Sequence, residues 1–168
     1  QINAGSLNID TVDGTTGISA ADLSITSNGR DVTQAQALTL TGNLTVNAGA
    51  ADIVLNNAAN NIAGFVDLTN TAANPISIRD NSALLINKIS MDAGAAGQLT
   101  IRSNGAITQN DTIGINTGQG AVSIINDGAG NITLTDADNT FSNSVAGNDL
   151  TISGAGAISI TSDSSLEF

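Results

Sequence analysis

Aliphatic residues flank single small polar ones along the whole chain. Leu7-Asn8-Ile9, Leu23-Ser24-Ile25, Leu38-Thr39-Leu40 and Leu44-Thr45-Val46 open the series. Ile53-Val54-Leu55, Ile76-Ser77-Ile78, Leu99-Thr100-Ile101 and Ile113-Gly114-Ile115 continue it, and Val122-Ser123-Ile124, Ile132-Thr133-Leu134, Leu150-Thr151-Ile152 and Ile158-Ser159-Ile160 complete it. A period of two predicts short strands, with the flanking residues turned inward and the middle one outward. Turn formers separate the strands, most clearly Asp13-Gly14, Asn28-Gly29, Asn104-Gly105 and Asp127-Gly128. This spacing alone fits a sandwich, a barrel or a β-helix.

A longer self-similarity separates those options. Leu23–Gln34 (LSITSNGRDVTQ) returns with one residue fewer as Leu99–Gln109 (LTIRSNGAITQ). Ile53–Val66 lines up with Ile132–Val145, keeping Leu55/Leu134, Ala58/Ala137 and Asn60/Asn139. Ile76-Ser77-Ile78 matches Ile158-Ser159-Ile160, and Leu7 and Ile9 match Leu84 and Ile86. Ordered landmarks recurring every 75–80 residues or so mark a tandem array. The units are read as 1–22 (partial), 23–98 (complete) and 99–168 (nearly complete), in one solenoid segment spanning 1–168.

The expected fold is all-β: a right-handed parallel β-helix (β-solenoid) of roughly eight coils, an uncapped fragment, each coil taking about 20–25 residues. Stacking at about 4.8 Å per coil then predicts a rod near 40 Å long. Asn residues at equivalent turns, such as Asn60 and Asn139, are the kind that form amide ladders. Pro75 precedes a strand, where its missing N–H does least harm.

Composition narrows the core and the partners. Of the 168 residues 40% are hydrophobic, yet only three are aromatic (Phe65, Phe141, Phe168), so the core is aliphatic. Aliphatics recurring at short intervals argue against disorder. The net charge of −11 repels phosphate backbones and anionic lipid, so neither nucleic-acid binding nor membrane insertion is expected. Only Arg30, Arg79, Lys88 and Arg102 oppose it. The absence of Cys excludes disulfides and thiolate metal sites.

Three runs carry a family resemblance: Leu99–Gln109, Gly130–Phe141 (GNITLTDADNTF) and Asn148–Ile160 (NDLTISGAGAISI). They resemble the repeats of large bacterial exoproteins of the filamentous-haemagglutinin type, adhesins exported by two-partner secretion. The resemblance implies a parallel β-helix stalk, secreted or on the bacterial cell surface. It also implies an unidentified receptor, protein or glycan, as partner. End-to-end self-association is a further expectation, because solenoid ends expose unpaired strands.

Candidate chemistry is sparse. The rival reading is a carbohydrate-active enzyme on a β-helix scaffold, for which Asp136 and Asp138 are the carboxylate pair closest in sequence, but Asn57 and Ala59 stand in their places in the other copy, and the chain has no His, Tyr or Trp. They read as turn residues bonded to their own backbone. Asp127-Gly128-Ala129-Gly130-Asn131 lacks the repeated nonapeptide of calcium-binding rolls. Gly118-Gln119-Gly120 and Gly154-Ala155-Gly156 open no predicted helix and read as coil corners rather than phosphate cradles. The outward rank running through Ser24, Thr39, Val54, Leu85 and Gly114 is too irregular to match an ice lattice. No catalytic, cofactor-binding or metal-ligating residue is assigned, and no enzyme is expected.

Overall fold

The computed structural model describes residues 5–92, 97–110, 115–117, 120–141, 150–163 and 166. Ile113, Gly114, Gly118, Gln119, Val145 and Phe168, named above, lie outside the described residues. The described residues form twenty strands, β1 to β20 in chain order. A first sheet stacks β1 (Leu7–Ile9), β6 (Val32–Gln34), β9 (Ile53–Leu55), β12 (Ile76–Asp80), β14 (Leu99–Ser103), β17 (Val122–Asn126) and β19 (Leu150–Ser153). A second sheet stacks β5 (Leu23–Thr26), β8 (Leu44–Gly49), β11 (Phe65–Asn70), β13 (Leu84–Ser90), β15 (Ile107–Gln109), β18 (Ile132–Leu134) and β20 (Ile158–Ile160). Beside β15, β16 (Ile115–Asn116) also pairs with β13. A short third sheet holds β4 (Ile18–Ala20), β7 (Leu38–Leu40) and β10 (Asn61–Ile62). Among the described residues one pair is antiparallel, the hairpin β2 (Thr11–Val12) and β3 (Thr15–Thr16). Its turn is Asp13-Gly14, with φ of 49° and 78°, the left-handed pair that a two-residue hairpin requires.

The chain alternates between the two long sheets, so it is a right-handed parallel β-solenoid. It makes about six turns rather than eight. Along the first sheet the partners step from Leu7 to Val32, Ile53, Ile76, Leu99, Val122 and Leu150, giving coils of 25, 21, 23, 23, 23 and 28 residues. The first five lengths fall within the expected 20–25 residues, the first being extended by the hairpin, and the last exceeds them. Six steps of about 4.8 Å make the stack roughly 29 Å tall, shorter than the expected rod.

Parallel stacking turns the two-residue alternation into columns. Leu55, Ile78, Ile101, Ile124 and Ile152 stand in register on the first sheet. Ile25, Val46, Leu68, Ile89 and Ile115 do so on the second. Both columns belong to one apolar core, in which Ile53, Ile76, Leu84 and Ile107 are fully shielded from solvent. Burying each such side chain contributes about 1.5–3 kcal/mol, the main force holding coil on coil. The middle Ser and Thr residues remain at least partly exposed, as the alternation predicts. Pro75 sits just before β12, and its carbonyl accepts a hydrogen bond from the Ile53 N–H.

The long repeat does not return the chain to the same face. Leu23 and Ile25 lie in the second sheet, but their counterparts Leu99 and Ile101 lie in the first. Ile53/Leu55 and Ile132/Leu134 are split between the sheets in the same way, as are Ile76/Ile78 and Ile158/Ile160. Each shift crosses seven half-coils, so equivalent sequences face opposite directions. The two long strands of a coil are interchangeable because each needs only an inward aliphatic pair.

Candidate functional site

The sequence-selected carboxylates do not form a paired site. The Asp136 Oδ1 accepts the Asp138 N–H at 2.8 Å, closing a turn on itself, and Asp138 is exposed. In the other copy the Asn57 Oδ1 accepts the Ala59 N–H at 2.9 Å, so the turn rather than the charge is shared. Asp127 is held by arginines. Among the described residues no three Asp or Glu side chains gather where a metal ion could be held. Gly154-Ala155-Gly156 is the bend between β19 and β20. A Cβ on Gly156 would lie 2.3 Å from the Gly130 carbonyl oxygen, and one on Gly130 would lie 2.4 Å from the Ala106 nitrogen. These glycines let successive corners touch backbone to backbone.

The interior carries two polar clamps that composition alone did not reveal. Asn60 is fully buried after β9, and Gln34 ends β6 one coil below. The Gln34 Nε2 donates to the Asn60 Oδ1, and the Asn60 Nδ2 donates back to the Gln34 Oε1 at 3.1 Å. The Asn60 Oδ1 also accepts the Leu38 N–H at 2.8 Å, while its Nδ2 reaches the carbonyls of Leu55 and Arg79 at 3.2 and 3.0 Å. Gln109 and Asn139 repeat these bonds on the opposite sheet, at 2.6 and 2.8 Å, with the Ile115 N–H donating to the Asn139 Oδ1 at 2.8 Å. Asn60 and Asn139 thus pair with glutamines. The amide ladders expected of them occur elsewhere, between Asn81 and Asn104 at 2.7 Å and between Asn87 and Asn110 at 3.0 Å. The signal for the clamps was present, because Gln34/Gln109 and Asn60/Asn139 recur in both copies. What joins a Gln to an Asn 26 or 30 residues later is the winding.

A third polar column stands at the end of the first sheet, where Asp80, Ser103 and Asn126 are buried in register. The Asp80 Oδ2 accepts the Ile62 N–H at 2.8 Å, and its Oδ1 accepts the Ser82 N–H and hydroxyl, each at 2.6 Å. Burial pushes the Asp80 carboxyl above its ordinary range, against those three bonds, which favour the charged form.

The outer face of the first sheet differs from the rest of this acidic surface. Arg79 and Arg102 are cross-strand partners on β12 and β14, so two cations stand one above the other. Asp127 takes Arg102 through both carboxylate oxygens: Nε donates to Oδ2 at 2.6 Å and Nη2 to Oδ1 at 2.9 Å. This bond holds the Asp127 carboxyl below its usual range and raises the Arg102 guanidinium. Arg79 reaches the same carboxylate by one bond of 3.3 Å, and its buried Nε has no acceptor. Both arginines, with Asn56, Ser77 and Thr100, line a groove of about 210 Å³. No local motif marks them, because Arg79 and Arg102 are 23 residues apart and meet through the coil period.

No curated protein and no solved structure matches the chain. Residues 2–69 and 73–148 each match the model of a family described as "Repeats of unknown function (DUF5649)". Those two stretches cover most of a β-solenoid built by repetition, and the chain belongs to that family of repeats.

Proposed function

We propose that the chain is a stalk segment of a secreted or cell-surface bacterial exoprotein, a rigid spacer whose outer faces serve as contact surfaces. The observation that carries this reading is the continuous parallel pairing of both long sheets, from β1 to β19 and from β5 to β20, which persists through the register shifts of β11 at Val66/Asp67 and Thr69/Asn70. Bending such a rod must open hydrogen-bonded pairs and core contacts together, so stiffness is built into every coil. The resemblance of Leu99–Gln109, Gly130–Phe141 and Asn148–Ile160 to filamentous-haemagglutinin-type repeats supports the adhesin setting. No catalytic role is assigned to Asp136 or Asp138. Small-angle X-ray scattering of the chain and of a head-to-tail fusion of two copies tests the spacer. A rod keeps its cross-section while its length doubles. A fused species that grows in all directions would end the reading. Surface labelling of intact source cells with antibody tests the location, and signal only after lysis would contradict it.

A filament subunit is the second reading, and one observation favours it. The first coil opens on an apolar cavity of about 300 Å³ lined by Leu7, Ile9, Ile18, Leu23 and Ile25, while Ile158 in the last coil is 46% exposed. Sedimentation that shifts with concentration would support stacking of the two ends. A strict monomer at high concentration would exclude it.

A further inference from the structure

We infer that the groove at Arg79 and Arg102 binds an acidic sugar, through a carboxylate seated on the Arg79 guanidinium. Charge singles out the pair. Half of the four cationic side chains in a chain of net charge −11 stand on adjacent strands as direct partners. Like charges so placed repel, and one Asp127 carboxylate neutralises only one of them. Hydrogen bonding separates the two arginines. Arg102 is satisfied by a two-oxygen carboxylate, whereas Arg79 makes one long bond and leaves its Nε without an acceptor. A second carboxylate, accepted at the solvent-facing end of the Arg79 guanidinium, would supply the charge partner that Arg102 already has.

The repeat does not require these residues. The seven-half-coil correspondence sets Ile76 and Ile78 against Ile158 and Ile160, so the counterpart of Arg79 is Thr161. It likewise sets Arg102 against Thr26 and, continuing from Val122/Leu44 and Ile124/Val46, Asp127 against Gly49. The interior clamps occur in both copies, while this triad occurs in one. A sugar rather than a bare anion follows from the lining: the Ser77 and Thr100 hydroxyls and the Asn56 amide offer partners to ring hydroxyls beside the carboxylate. The groove has no aromatic platform, so the affinity is modest.

The test is an NMR titration of the 168-residue chain with D-glucuronate, acetate and D-glucose at matched ionic strength. Glucuronate should shift Ser77, Arg79, Thr100 and Arg102 saturably and bind about fivefold or more tighter than acetate, with glucose causing no shift. Arg79→Gln should weaken glucuronate by about tenfold or more, with its thermal melt confirming the fold. Asp127→Asn should tighten it, because Arg102 is then freed to share the ligand. Absence of saturable shifts, equal binding of acetate, or an Asp127→Asn variant no tighter than wild type would each overturn the proposal. It stands apart from the spacer reading: a stiff rod that ignores glucuronate ends this inference and leaves that one intact.

Discussion

The two amide clamps and the arginine groove are both made by residues one coil apart, yet they follow opposite rules. Gln34–Asn60 and Gln109–Asn139 make the same bonds on opposite sheets. Arg79 and Arg102 have threonines as their repeat counterparts, Thr161 and Thr26. Inside, an unpaired amide would lie against backbone groups that water cannot reach, so both copies keep the glutamine, one backbone N–H and one backbone carbonyl as partners. Outside, the partly exposed arginine side chains hold no part of the backbone in place, and the copies are free to differ. Repetition therefore marks scaffold here, and departure from it marks the surface where a specific contact can be built.

The largest test of this contrast is Asn60→Ala. It strips partners from the Leu38 N–H and from the Leu55 and Arg79 carbonyls, and denaturant unfolding should show a loss of about 3 kcal/mol or more. Asn139→Ala should cost about the same, within roughly 1 kcal/mol. A clear inequality would show that the clamps are alike in pattern only. Next comes Gly130→Ala, which drives a methyl into the Ala106 backbone nitrogen and should cost about 2 kcal/mol by the same measurement.

Arg79→Thr, which installs the residue its counterpart carries, should change stability by less than about 1 kcal/mol. A loss beyond about 2 kcal/mol would make the arginine structural and blur the contrast. The smallest effect is electrostatic. Asp127 has a folded pKa below its ordinary 3.8, so as pH falls the unfolded chain takes up its proton first. The contribution of the ion pair is present above 3.8 and fades as pH falls through the lower folded value. NMR titration of the Asp127 carboxyl should therefore give a midpoint below 3.8 that rises in Arg102→Gln.

Fold class, aliphatic core and outward Ser/Thr ranks were legible because alternation and burial share the same two-residue period. The number of coils was not, since connection lengths vary from coil to coil and triplets do not report them. Turn dipeptides show the limit of local signals. Asn28 adopts a φ of 53° and Gly29 one of 82°. Asn104 and Gly105, in the same motif, instead run through a corner where Gly105 approaches the Ala83 nitrogen and Asn104 pairs with Asn81. The neighbouring coil decides which geometry the dipeptide takes.

By itself the sequence determined that this chain repeats, that its strands are short and that aliphatic side chains fill one face of each. Those properties follow from nearest-neighbour spacing, which a one-dimensional pattern records. Only the tertiary structure decided that the repeat turns by an odd number of half-coils, that Asn60 and Asn139 each meet a glutamine from the coil below, and that two arginines share one aspartate. Each depends on the residues per turn of the solenoid, because a contact between coils joins positions whose separation is set by loop lengths rather than by any local preference.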